Sequence, residues 1–125
     1  MVKVFSDPRY KINKKSVKKN SSQLLEKKGI SPDYLLNIAF VGARKMKFCA
    51  REYKKENVAL PILSFSYVNQ KREQGNEPPT PEEEKLLGEI VICYPQALLL
   101  AAERNKSVDT MLLSLIEHGI ENILM

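Results

Sequence analysis

Few side chains in this 125-residue chain are equipped for chemistry, and the scarcest is its single histidine, His118. An imidazole can ligate a metal or carry a proton near neutral pH. One histidine cannot by itself build a three-histidine zinc site. At helical spacing its neighbours are Leu115, Glu121 and Asn122, at i−3, i+3 and i+4. His118 therefore shares a ridge with Asn122 and borders an apolar stripe. Its surroundings alone favour a half-buried packing residue over a ligand. Gly119 follows, and a glycine inside a helix costs about 1 kcal/mol against alanine. Close approach by a strand or a ligand is expected there to offset that cost.

The other reactive types form no recognised constellation. Ser64 and Ser66 have no histidine near them in sequence, so nucleophilic catalysis has no support. There is no glycine-rich phosphate loop and no Cys-x-x-Cys pair. Cys49 stands among Lys45, Lys47 and Arg51. Those cations would lower the pKa of an exposed thiol, but a buried helix-face cysteine is expected. Two cysteines, Cys49 and Cys93, are too few for a disulfide framework and suggest reduced thiols in a cytoplasmic protein.

Charge is the stronger signal. Residues 1–55 hold 15 Lys/Arg against 4 Asp/Glu, a net +11, whereas residues 56–125 hold 5 against 11, a net −6. A basic half this pronounced points to a polyanionic partner, nucleic acid first, and otherwise to a solvated lysine-rich surface. No apolar run reaches 18 residues, which argues against a transmembrane helix, and the N-terminus lacks the pattern of a secretory signal.

The elements that must position these residues follow from periodicity. Residues 2–6 alternate as a short strand broken by Asp7-Pro8. Residues 14–28 read as a helix with Val17, Leu24 and Leu25 near one face and Gly29 as its stop. Residues 34–41 are the best strand, closed by Gly42. Residues 43–55 return to helical spacing through Met46, Cys49/Ala50 and Tyr53, with Arg44, Lys45, Lys47, Arg51, Lys54 and Lys55 on the remaining face. Residues 62–67 alternate as an edge strand beside Pro61. Residues 69–85 are polar, with three prolines and an acidic run, and read as a surface loop. Residues 88–93 form a buried-type strand, and Pro95 opens a helix to Arg104. Residues 107–124 form the strongest helix, capped by Ser107. The expected fold is α/β (α+β): one domain over 1–125, with a single mixed sheet of about four strands covered by about four helices, in the order β-α-β-α-β-β-α-α.

Several of these segments together resemble the YbeY family of metal-dependent endoribonucleases of bacterial rRNA maturation and ribosome quality control. Residues Met46 to Asn57 resemble the family stretch M-x-x-L-N-x-x-Y-R-x-K-D. Ile62-Leu63-Ser64-Phe65 matches its V-L-S-F strand. Leu86-Leu87-Gly88-Glu89-Ile90-Val91-Ile92-Cys93 follows its L-L-G-D-I-V-I-C, with Glu89 for Asp. This eight-residue match, after an acidic Pro-rich loop, is the most specific signal. His118-Gly119-Ile120-Glu121-Asn122 aligns with H-G-x-L-H.

The resemblance implies zinc as cofactor, His118 and Asn122 as metal positions, Lys54 and Glu89 as catalytic positions, and Lys47, Arg51 and Lys54 as RNA contacts. The family binds zinc through three histidines. Here Asn122 occupies the second position, and the third would fall beyond Met125, so a divergent or C-terminally truncated member is expected. Glu121 offers a substitute carboxylate. Lys54 stands for the family's arginine, keeping the charge without the bidentate fork, and Ala50 for its asparagine. The first expectation is an rRNA-processing endoribonuclease acting with the small ribosomal subunit. The second is a non-catalytic RNA- or ribosome-binding member, and the third an unrelated small interaction domain. If Lys54 and His118 serve one site, they should face a common cleft.

Overall fold

Polar caps and glycines set most of the element boundaries in the computed structural model, which describes residues 1–67 and 86–125. The loop expected over 69–85 lies outside the described residues. The strands are Val2–Ser6 (β1), Leu35–Val41 (β2), Ile62–Ser66 (β3) and Leu86–Cys93 (β4). The helices are Lys14–Lys27 (α1), Ala43–Lys54 (α2), Tyr94–Glu103 (α3) and Val108–Leu124 (α4). This is the expected order, and the ends fall within two residues of the expected ones.

Each boundary has a local cause. The Asn13 side chain accepts from the Ser16 amide at 3.0 Å and opens α1. Gly29, with φ +76°, closes it by donating to the Glu26 carbonyl at 3.0 Å, and Ile30 donates to the Leu25 carbonyl at 3.0 Å. Ser107 Oγ accepts from the Thr110 amide at 3.1 Å and starts α4, as its position suggested. Lys55 ends α2 in the left-handed region, at φ 56°.

The strands form one mixed sheet in the order β1-β2-β4-β3. β1, β2 and β4 are parallel, and β3 runs antiparallel to β4 at the edge, where Pro61 had suggested it. Register pairs Ile38 with Ile90, Ala39 with Val91, Asn37 with Glu89 and Phe65 with Glu89. β4 starts two residues before the expected position, at a register shift opposite Leu35 and Leu36.

Alternation then separates two unequal layers. One face of the sheet presents Leu36, Ile38, Phe40, Ile90 and Ile92 to α1, α3 and α4, forming the main core with Met111, Ile116 and Ile120. The other face presents Val41, Leu63 and Cys93 to Met46 of α2. Only α2 covers this second face among the described helices. Phe5, on the strand farthest from β3, is 53% exposed there.

The helical glycine at 119 has its expected cause, a strand rather than a ligand. A methyl group at that position would lie 2.9 Å from Ile90 Cδ1 and 3.2 Å from Ile62 Cδ1. The bare backbone lets α4 settle onto β3 and β4, and the apolar area so buried offsets the helical cost.

Candidate functional site

α2 carries the basic surface. Its sheet-facing side is Met46 and Ala50, both fully buried. Arg44, Lys45, Lys47, Arg51, Lys54 and Lys55 are exposed around it, with Glu52 as the one acid of the segment 43–55. Among the described residues none of these cations is held in an ion pair. At about 100° per residue the helix divides them into two flanks. Lys47, Arg51 and Lys54 share one flank and the outer surface. Lys45, Cys49 and Tyr53 share the other, at i, i+4 and i+8.

That second flank overhangs a cleft of about 280 Å³ above the sheet. Its walls are Lys45, Cys49 and Tyr53 from α2, Phe65 and Tyr67 from β3 and its end, and Ala39, Val91 and Glu89 from β2 and β4. Phe65 and Glu89 are there together because they are register partners on the same face. Tyr53 and Phe65 pack edge to face, centroids 5.0 Å apart and planes at 68°. Burial pushes the Tyr67 phenol above its usual pKa, and the Glu89 carboxylate beside it adds to the rise. The phenol stays protonated in the physiological range and can donate.

Two expectations are corrected here. Cys49 is half-buried in the cleft wall instead of fully packed. Tyr53 is 67% exposed instead of sealing the helix, because only Met46 and Ala50 reach the sheet centrally. The cleft is also what sequence reasoning missed. Its signal was the alternation that sets Phe65 and Glu89 on one face, but the partner strand had to be known.

His118 is exposed, not half-buried, since the stripe of α4 passes on either side of it through Leu115 and Gly119. Asn122, Glu117 and Glu121 are exposed near it on the same helix. α4 covers the face of Ile62 and Ile90, whereas α2 covers the face of Val41 and Leu63. The helices bearing His118 and Lys54 thus pack on opposite faces of the sheet. Glu89 points to the α2 face, with Lys45 and Tyr53.

The donors for zinc were tested on the same geometry. His118 offers one imidazole and Asn122 a neutral amide. Among the described residues no group of three His, Cys, Asp or Glu side chains is disposed to hold a metal ion. This donor set does not fit a three-ligand zinc centre. No helix among the described residues is long and apolar enough to cross a membrane.

The family model and the curated relatives point to one family. A family model described as Endoribonuclease YbeY matches residues 5–124. The Endoribonuclease YbeY of Dehalococcoides mccartyi is 30% identical over 129 aligned positions, covering 98% of this chain and 81% of the relative. That of Desulforamulus reducens is 36% identical over 101 positions, covering 80% of this chain and 63% of the relative. A solution structure from Thermotoga maritima superposes with a TM-score of 0.61 at 17% identity, covering 96% of this chain and 69% of that one, which is a likeness of fold. By the family match and the extent of these relatives, the chain belongs to the Endoribonuclease YbeY family.

Proposed function

We propose that this chain is a ribosomal RNA maturation factor that holds single-stranded RNA along α2. The observation that carries the reading is the set of six exposed cations on α2 and its C-cap, within a first half of net charge +11. Lys47 to Lys54 spans about 10 Å of helix at 1.5 Å per residue, enough to meet successive phosphates of an extended strand. Lys54 acts there as a point charge on a phosphate, not as a bidentate clamp. The partner is rRNA of the small ribosomal subunit, and the compartment is the cytoplasm.

The family's name supports hydrolysis of RNA as the activity, with Lys54 and Glu89 as the catalytic positions. The incomplete donor set at His118 and Asn122 favours a second reading, a non-catalytic RNA-binding member. Metal analysis with a cleavage assay separates them. About one zinc per chain together with cutting of single-stranded RNA supports the enzyme. Well under one zinc per chain and no cleavage supports the binder. Both readings require RNA binding that weakens with salt and is lost in the triple variant Lys47→Glu, Arg51→Glu, Lys54→Glu. Binding unchanged in that variant refutes both.

A further inference from the structure

We propose that the cleft between α2, β3 and β4 is a nucleobase pocket selective for guanine, with Tyr53 as the stacking platform and Glu89 as the paired acceptor. The proposal rests on the reading of the chain as an RNA-binding protein and names what part of the RNA this cleft takes.

Size sets the first constraint. About 280 Å³ is close to the lower bound of small-molecule pockets, roughly 300 Å³, so the cleft holds one base and excludes a duplex. Its composition sets the second. Tyr53, Phe65 and Tyr67 supply aromatic surface, and Tyr53 is two-thirds exposed while its ring orientation is set by the edge contact to Phe65. An exposed, oriented ring on a basic helix is the usual platform for an unstacked base. Lys45 on the rim adds a cation for the phosphate that accompanies the base.

Glu89 chooses among the bases. An ionised carboxylate only accepts hydrogen bonds, through two oxygens. Guanine alone presents two adjacent donors on its Watson–Crick edge, N1–H and the N2 amine. Adenine and cytosine present one amine beside a ring acceptor, which would oppose the second oxygen. Uracil presents one N–H between two carbonyls. In a half-buried, partly apolar cleft an unmatched carboxylate oxygen is costly, so the mismatch discriminates strongly. Tyr67, kept protonated by burial and by the Glu89 charge, lines the same cleft beside the carboxylate.

The test is a titration of the four nucleoside monophosphates, followed by the amide resonances of Tyr53, Tyr67 and Glu89. Guanosine monophosphate should move these resonances and bind about tenfold or more tightly than the other three. Tyr53→Ala should weaken all four. Glu89→Gln, checked as folded by its amide spectrum, should bring the guanosine-to-adenosine affinity ratio close to one. Equal responses to all four monophosphates, shifts confined to other surfaces, or a ratio untouched by Glu89→Gln would overturn the pocket. Failure of the underlying RNA reading looks different: no salt-sensitive binding of any oligonucleotide sequence, whatever the mononucleotides do.

Discussion

Gly119 of α4 and Ile90 of β4 approach so closely that a methyl on the glycine would stand 2.9 Å from Ile90 Cδ1 and 3.1 Å from its Cγ1. This contact fixes the depth at which the helix bearing His118 sits on the sheet. Alanine at 119 would gain about 1 kcal/mol of helix propensity. It would also overpack a closed core at a cost of roughly 1–3 kcal/mol. Gly119→Ala should therefore destabilise by about 1 kcal/mol net, and Ile90→Val in the same chain should recover part of the loss. Urea midpoints of the two single variants and the double variant measure this. A Gly119→Ala protein more stable than wild type would show that the contact is looser than described.

The N-cap of that helix is a single side chain. Ser107 Oγ accepts from the Thr110 amide at 3.1 Å and donates to Thr110 Oγ1 at 2.7 Å. Ser107→Ala should lower stability by about 1 kcal/mol, and Ser107→Asp should preserve it by capping and by its charge at the helix start. Both are read from denaturation midpoints at fixed salt.

RNA affinity should fall steeply with ionic strength. Replacing Lys47, Arg51 and Lys54 together by alanine should reduce the magnitude of the log–log salt slope by about 2 for a single strand, at roughly 0.7 per phosphate contact. Anisotropy titrations of a labelled oligonucleotide across a salt series report the slope. A slope identical to wild type would place the RNA elsewhere on the chain.

Stability should decline on the alkaline side. Burial raises the Cys93 thiol above its usual pKa, with a backbone contact from Gln96 partly opposing the rise. The raised group is an acid kept neutral by folding. Its contribution is fully present below the unfolded thiol value, about 8.5, and is lost as pH climbs from there through the folded value. Tyr67 acts in the same sense at higher pH. Between pH 7 and 9.5 the loss in urea-derived stability should be smaller in Cys93→Ala than in wild type, although the variant starts lower. Equal slopes would remove Cys93 as the cause. Alkylation should also reach half-buried Cys49 before buried Cys93.

Much of this molecule was legible in local pattern. The alternation of 2–6, 35–41 and 62–66, the helical stripe of 108–124 and the capping serine all act within a few residues, so one chain suffices to read them. The glycine at 119 announced a close neighbour for the same reason, since its helical cost is local. The family pattern was legible too, because its residues lie in short runs such as Leu86 to Cys93.

Other features exist only once the sheet is assembled. Periodicity tells that Met46 and Ile120 are buried, but not that they are buried on opposite faces, and so it could not tell that Lys54 and His118 ride on helices separated by the sheet. Nor could it bring Glu89 to Phe65 and Tyr53, three residues from three elements. The antiparallel return of β3 beside β4 sets that register, and among the described helices α2 alone covers this face, where its flank overhangs the cleft. Hydrophobic spacing specifies that a side chain leaves water. The order and direction of the strands decide which side chains it meets when it does.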